Sequence, residues 1–212
     1  RRGMFAFAIW DARRQLLVLG RDRLGIKPLY YAETPEGLTF ASELKALLTN
    51  RRISRDLDPE ALAEYFTHLC VPGDLSIFKS VRKLPPAHIL TYRNGKTELR
   101  RYWQVQPNPD YARTENGWIE ELRARLEEAV KIHLVADVPV GALLSGGIDS
   151  ALVCWAIAHL GADITAYTVG TPGSDGDESA DARATAEALG IRHVVLDLAN
   201  SDSHLMEDLV EA

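Results

Sequence analysis

Short apolar runs separated by polar turns fill the first half of the chain, and this spacing is typical of antiparallel strands. Asn94-Gly95 separates the last two runs, and because both residues tolerate positive φ, the pair predicts a tight hairpin. Asp58-Pro59-Glu60 predicts a helix start, since Asp accepts free N–H groups and Pro fits the first turn. The predicted elements are strands at 4–10, 15–20, 29–32, 38–41, 87–92 and 97–103 and helices at 42–48 and 58–67.

The pattern changes after residue 103. Residues 106–110, QPNPD, predict a linker. Apolar residues at helical spacing then predict an amphipathic helix over 117–134, and the apolar run 138–144 is typical of a buried parallel strand. Strands and helices alternate from there, which favours a parallel α/β sheet. The remaining predicted elements are a helix at 151–160 stopped by Gly161, a strand at 164–169, a helix at 177–189 ended by Gly190 and a strand at 193–198.

Two modules of different charge follow from this division. Residues 1–103 are predicted to form an α+β domain with an antiparallel sheet, 104–116 a linker, and 117–212 an α/β domain with a parallel sheet. The net charge is +7 over residues 1–103 and −13 over the remainder. The basic residues are scattered, so we expect no nucleic-acid partner. No apolar run approaches the ~20 residues of a membrane helix, so we expect no membrane partner.

The cysteines and the chain ends bear on location. Cys70 and Cys154 are far apart and lack CxxC spacing, which favours a reducing compartment and argues against a zinc site. Arg1 opens the chain, and Met4 lies in the apolar run GMFAFAIW. That run lacks a signal-peptide cleavage site and predicts a strand that begins within a longer protein. We therefore expect an internal piece of a cytoplasmic protein.

Residues 143–150, LLSGGIDS, join an apolar strand to a helix, and their chemistry suits an anion. Glycines let the backbone turn sharply, so N–H groups and the helix N-terminus can face phosphate oxygens. Ser145 and Ser150 add hydroxyl donors, and Asp149 could hold a magnesium ion. The alternative is a plain strand-to-helix turn with Ser150 as the N-cap. We favour the phosphate hypothesis, although the chain has neither a GxxxxGK[ST] loop nor a GxGxxG fingerprint.

The hexapeptide Ser145–Ser150, SGGIDS, resembles the PP-loop of ATP pyrophosphatases, which cleave ATP to AMP and pyrophosphate. The wider stretch 133–150 resembles glutamine-dependent asparagine synthetases. The first half agrees independently, because four of its segments resemble the later part of that family's class II glutamine amidotransferase domain, an Ntn-type fold. Those segments are GMFAFA at 3–8, GRDRLGIKPLYY at 20–31, ASELKALL at 41–48 and LPPAH at 84–88.

The resemblance implies an ATP-dependent, glutamine-dependent amide-forming ligase. In the family, ATP and Mg²⁺ activate the side-chain carboxylate of L-aspartate as an acyl-adenylate, and pyrophosphate leaves. Ammonia from L-glutamine then reaches the adenylate through a tunnel and forms L-asparagine and AMP. Family members are often homodimers, which the resemblance extends to this chain.

Three alternatives to an asparagine-forming ligase stay open. One is a related amidotransferase or β-lactam synthetase that acts on another carboxylate. A second is an enzyme of GMP or NAD synthesis, which the class II-like first half disfavours. The third is a non-catalytic homologue that only binds nucleotide, which the intact SGGIDS loop disfavours.

Site residues carry over only where this sequence matches the family. Asp149 is expected to bind magnesium, Leu144 to contact the nucleotide through its backbone, and Val169 to contact adenine. The side chains of Leu144 and Val169 are expected to be core. No catalytic residue is expected, because the family's nucleophilic N-terminal Cys would precede Arg1; Cys70 is interpreted as structural. The expected ATP- and pyrophosphate-binding residues are Leu144, Ser145, Gly146, Gly147, Ile148, Asp149, Ser150 and Val169.

Other features have less specific interpretations. Asp177-Glu178 could approach the nucleotide, but we favour a role in starting the helix that follows. Residues 21–25, RDRLG, are interpreted as a charged structural turn rather than a domain interface. His193 matches a family position without an assigned role. The family's later acidic loop and lysine would lie beyond Ala212, so we expect the chain alone to have neither glutaminase nor ligase activity.

Overall fold

The computed structural model describes residues 3–197. The chain divides into two units, Arg1–Asn108 and Pro109–Ala212. The described elements of the first unit are β1 (Ala6–Asp11), β2 (Leu16–Arg21), β3 (Tyr30–Thr34), β4 (Gly37–Ala41), α1 (Leu44–Leu47), α2 (Pro59–His68), β5 (Arg82–Lys83), β6 (His88–Arg93) and β7 (Lys96–Arg101).

Antiparallel pairing joins the described strands of the first unit into two sheets, ordered β1-β2-β6-β7 and β4-β3-β5. The six predicted strands are confirmed, with ends shifted by at most two residues. Asn94 and Gly95 have φ values of 51° and 76°, as the predicted hairpin requires. The short β5 was missed, because Arg82 and Lys83 have no strand pattern of their own and their conformation depends on pairing with β3.

Local chemistry sets the start of α2 as predicted. The Asp58 carboxylate accepts hydrogen bonds from the N–H groups of Glu60 at 3.0 Å and Ala61 at 3.3 Å. The two sheets and the helices enclose two apolar clusters. These are Leu19, Leu29, Leu84 and Leu90 in one and Ala32, Leu47, Ile53 and Val81 in the other.

The RDRLG turn is held from within by two charged side chains. The buried carboxylate of Asp22 accepts backbone hydrogen bonds from four residues: Phe5, Leu24, Ile26 and Lys27. The Arg21 guanidinium donates to three carbonyl oxygens: those of Gly25, Lys27 and Leu84. Burial acts to raise the pKa of Asp22, but the four N–H donors outweigh it, so this pKa lies below its ordinary value. These bonds give the turn a structural role within its own unit.

The described part of the second unit is a parallel sheet with helices, as predicted. Among the described residues its strand order is β10 (Arg192–Asp197), β9 (Thr165–Gly170), β8 (Gly141–Leu143), and both pairings are parallel. Ala166 and Thr168 on the middle strand are buried, whereas Tyr167 and Val169 are exposed. The elements are α3 (Glu115–His133), β8 (Gly141–Leu143), α4 (Ile148–His159), β9 (Thr165–Gly170), α5 (Ser179–Leu189) and β10 (Arg192–Asp197).

Helices α4 and α5 cover one face of this sheet through a shared apolar cluster. Its members are Leu144, Cys154, Ala166, Ala182 and Ala186. Gly190, with φ 66°, ends α5 in the left-handed conformation, as predicted. The predicted strand over 193–198 corresponds to β10, and residue 198 lies outside the described part. None of the described helices is long and apolar enough to span a bilayer.

The prediction of a buried strand over 138–144 was wrong in extent and in burial. Only Gly141–Leu143 is strand, and Val138 and Leu143 are 70% and 79% exposed. Within the described residues, β8 is an edge strand with β9 as its one partner. An apolar run shows that a segment can be buried, but the elements that pack on either side of it decide whether it is.

Candidate functional site

The SGGIDS loop leaves the carboxyl end of β8 and runs directly into α4. The N-cap residue of α4 is Gly147, which has no side chain to satisfy the first N–H groups of the helix. The alternative with Ser150 as the N-cap was wrong, because Ser150 is the third residue of α4. The free N–H groups and the positive end of the helix dipole suit an anion at this point.

Two serine hydroxyls fold the loop. The oxygen of Ser150 lies 2.9 Å from that of Ser145 and accepts the Ser145 N–H at 3.1 Å. Ser150 also donates to the Gly147 carbonyl at 3.0 Å, while the Gly147 N–H donates to the Ser145 hydroxyl at 3.2 Å. These bonds stabilise a preformed loop in which an incoming phosphate would replace the serine hydroxyls as acceptors of two N–H groups, those of Ser145 and Gly147.

Helix α5 begins against the same loop. The N–H of Gly146 donates to Oε2 of Glu178 at 3.3 Å. A Cβ added at Gly146 would lie 3.2 Å from Cβ of Asp181, so glycine permits this close approach.

Asp177 and Glu178 both lie at the start of α5, as the preferred interpretation of this pair expected, but their side chains have different partners. The Asp177 carboxylate accepts the N–H of Ser179 at 3.1 Å, and hydrogen bonds from Ser179 and Thr171 lower the pKa of Asp177. The Glu178 side chain does not cap α5; its carboxylate contacts the loop instead. Glu178 is nevertheless the N-cap residue of α5, so its charge lies at the helix start as that interpretation expected.

Leu144 and Val169 differ in their surroundings. Leu144 is buried, as expected, and its N–H donates to the Tyr167 carbonyl at 2.9 Å. The side chain of Val169 was expected to be core but is 53% exposed, because it belongs to the face of the sheet opposite α4 and α5. Both residues lie at the carboxyl edge of the parallel sheet, where ligands bind in open α/β folds.

Asp149 is exposed at the start of α4, beside the loop N–H groups. Among residues 3–197, no three or more His, Cys, Asp and Glu side chains form a group that could hold a metal. A single carboxylate still fits Mg²⁺, which typically takes one or two protein carboxylates together with phosphate oxygens and water. The remaining predicted residues, Ser145, Gly146, Gly147, Ile148 and Ser150, form one continuous turn with Asp149.

Three further residues near the loop were not identified as site residues by the sequence analysis. Thr168 and His193 form a hydrogen-bonded pair behind the loop, and Asp181 approaches Gly146 from α5. Alternation along β9 could have placed Thr168 on the covered face. Its partners could not be predicted, because they depend on which strands become neighbours.

Comparison with known protein families agrees with both halves of the sequence. Residues 1–103 match the glutamine amidotransferase domain family, and residues 121–212 match the asparagine synthase family. The chain therefore belongs to these two families over those residues.

Three relatives illustrate the similarity. Asparagine synthetase [glutamine-hydrolyzing] 3 of Bacillus subtilis (strain 168) is 38% identical over 153 residues, covering 71% of this chain and 25% of the relative. Amidase chry2 of Gibberella zeae is 39% identical over 210 residues, covering 90% of this chain and 31% of the relative. Asparagine synthetase [glutamine-hydrolyzing] 1 of B. subtilis is 34% identical over 194 residues, covering 91% of this chain and 30% of the relative. The chain thus spans less than a third of the length of each relative.

Proposed function

We propose that the chain carries parts of two domains of a larger carbon–nitrogen ligase that uses glutamine as nitrogen donor. Residues 1–103 are the C-terminal part of a class II, Ntn-type glutamine amidotransferase domain. Residues 104–116 are a linker, and residues 117–212 begin a PP-loop synthetase domain. Both family matches, in this order along one chain, support the proposal.

The reaction that we propose activates a carboxylate and then forms an amide. The side-chain carboxylate of L-aspartate attacks the α-phosphorus of ATP, forming an acyl-adenylate and releasing pyrophosphate. Glutamine and water give glutamate and ammonia. Ammonia then attacks the acyl carbon, forming L-asparagine and releasing AMP.

The loop between β8 and α4 carries this proposal, because its geometry suits the leaving pyrophosphate. The N–H groups of Ser145, Gly146 and Gly147, which donate to internal acceptors in the free loop, turn to phosphate oxygens when ATP binds. The uncapped start of α4 adds a favourable dipole. The Val169 backbone borders the adenine. Asp149 would hold Mg²⁺, which would neutralise charge on the pyrophosphate. A cation is needed because Asp149, Glu178 and Asp181 place negative charge around a polyanionic substrate.

Action on another carboxylate is the second candidate function. An amidase relative is 39% identical over 90% of this chain, which is as similar as the asparagine synthetases are. The same loop chemistry would serve either acceptor, since the loop binds ATP and not the carboxylate that it activates.

Pyrophosphate release from ATP by the full-length protein tests the proposal. Release that depends on L-aspartate, and that falls at least about 100-fold in an Asp149→Asn variant, would support it. Asp163→Asn is a matched control, since this exposed residue precedes β9 at the opposite edge of the sheet. Release without aspartate dependence would favour the second candidate, and no release would contradict both.

We also propose that residues 1–212 alone release neither ammonia from glutamine nor pyrophosphate from ATP. The matches to both families support this, because the chain covers only part of the relatives. Turnover of either substrate by the purified chain would contradict it. A cytoplasmic location is proposed as well, supported by two thiols, Cys70 and Cys154, that are free of disulfides.

A further inference from the structure

A buried hydroxyl lies directly behind the SGGIDS loop. Thr168 is 4% exposed, on the face of β9 that α4 and α5 cover. Its Oγ1 donates to the carbonyl oxygen of Leu144 at 2.6 Å and lies 2.8 Å from Nε2 of His193. The two contacts join β9 to the end of β8 on one side and to β10 on the other.

The protons of this pair follow from its chemistry. A carbonyl oxygen only accepts, so the single hydroxyl proton of Thr168 points to Leu144. Nε2 of His193 must therefore be the donor to the Thr168 oxygen. This assigns His193 a proton on Nε2.

The Leu144 carbonyl, which accepts from Thr168, determines the direction of the Ser145 N–H, the first donor of the loop. The Leu144 C=O and the Ser145 N–H belong to one planar peptide group, so fixing the carbonyl fixes the direction of the N–H. The Leu144 N–H is bonded to the Tyr167 carbonyl, which holds the preceding peptide group on β9. On the far side, the Ser145 N–H reaches the Ser150 hydroxyl at 3.1 Å.

We propose that Thr168 and His193 are positioning residues that hold the Leu144–Ser145 peptide in the orientation required for binding the pyrophosphate of ATP. This rests on the proposed function, in which the loop binds that group. His193 acts through Thr168: it orients the threonine oxygen, and the threonine orients the peptide. Neither residue touches the reacting atoms.

Steady-state kinetics of the full-length protein test the proposal. Thr168→Val removes the hydroxyl at constant shape and should lower kcat/KM for ATP by about 10- to 100-fold, mainly through KM. Thr168→Ser keeps the hydroxyl and should stay within about threefold of the wild type. Thr165→Val makes the same change at the opposite end of β9 and should have no effect. The melting temperatures of the same preparations serve as a folding control.

Replacing His193 by glutamine or by asparagine tests which of its two ring nitrogens matters. The amide nitrogen of glutamine can reach the place of Nε2, whereas that of asparagine is closer to the place of Nδ1. His193→Gln should therefore retain more of kcat/KM for ATP than His193→Asn. Because His193 acts through Thr168, adding His193→Leu to Thr168→Val should cause little further loss.

A spectroscopic measurement covers the case in which variants fail to fold. Long-range ¹H–¹⁵N spectra of histidine-labelled wild-type protein should show a proton on Nε2 of His193. A bare Nε2 would overturn the proposal, as would an unchanged KM for ATP in folded Thr168→Val protein. A wild-type protein that releases no pyrophosphate would instead contradict the proposed function, so the two failures are distinguishable.

Discussion

The N–H of Gly146 donates to Oε2 of Glu178, 32 residues further along the chain, at 3.3 Å. This carboxylate oxygen occupies one of the N–H groups proposed to bind pyrophosphate. An anionic ligand must therefore take over that N–H while the negative charge of Glu178 stays nearby. Glu178, the N-cap residue of α5, thus acts on the loop as a competing internal anion.

Replacing Glu178 by glutamine should tighten ATP binding. The amide keeps an acceptor for Gly146 but removes the charge that repels the phosphates, so we expect KM for ATP to fall about fivefold at low salt. The gain should shrink as ionic strength rises, because Glu178 is exposed. Glu187→Gln, an exposed change near the other end of α5, is the control. Weaker ATP binding in Glu178→Gln would show that the carboxylate serves the nucleotide or its metal.

A side chain at position 146 should disturb the site more than the fold. The Cβ of Gly146→Ala would lie 3.2 Å from Cβ and 3.4 Å from Oδ2 of Asp181, so the loop or the start of α5 must shift. We expect at least a tenfold rise in KM for ATP and a similar melting temperature. Gly176→Ala is the matched control, since among residues 3–197 its Cβ would have only Ser174 Oγ within 4 Å, at 3.8 Å. Equal KM values for the two variants would contradict the prediction.

The buried carboxylate of Asp22 should make the first unit sensitive to acid. Its pKa is lower in the folded state than its ordinary value, so its stabilisation is present at neutral pH and is lost as pH falls through the folded-state pKa. Asp22→Asn should lower the free energy of unfolding at pH 7 by about 3 kcal/mol, because an amide cannot accept from four N–H donors.

Urea unfolding at a series of pH values measures this effect. The difference in free energy of unfolding between wild type and Asp22→Asn should narrow as pH falls below about 4, the ordinary pKa of Asp, and disappear once the folded-state carboxyl is protonated. Asp56→Asn makes the same change at an exposed residue of the same unit and should be nearly neutral. A difference that persists unchanged to pH 2 would show that charge is not the cause.

The two thiols should react at very different rates. Cys70 is exposed, whereas Cys154 is buried in the cluster under the parallel sheet, and burial raises the pKa of the Cys154 thiol. A thiol reagent at pH 8 should modify Cys70 in the native protein and Cys154 only after unfolding. A Cys70→Ser variant should lose the fast phase. Rapid modification of Cys154 in the native protein would mean that α4 and α5 open readily.

Local chemistry along the sequence determined much of this protein. The hairpin at Asn94-Gly95, the cap at Asp58 and the stop at Gly190 each depend on the conformational preferences of one or two residues. The strand–loop–helix unit around Ser145–Ser150 could be predicted for the same reason, since its apolar and glycine-rich segments are contiguous.

Tertiary structure alone decided which of these segments contact one another within the second unit. The bond from Gly146 to Glu178 and the contacts of Thr168 with Leu144 and His193 join residues 24 to 32 positions apart. They depend on strand order and on how α5 packs against the sheet, which a local pattern does not encode. The same reason explains why β8 and Val169 are exposed. Whether a side chain is buried depends on the elements that pack against it as well as on its own polarity.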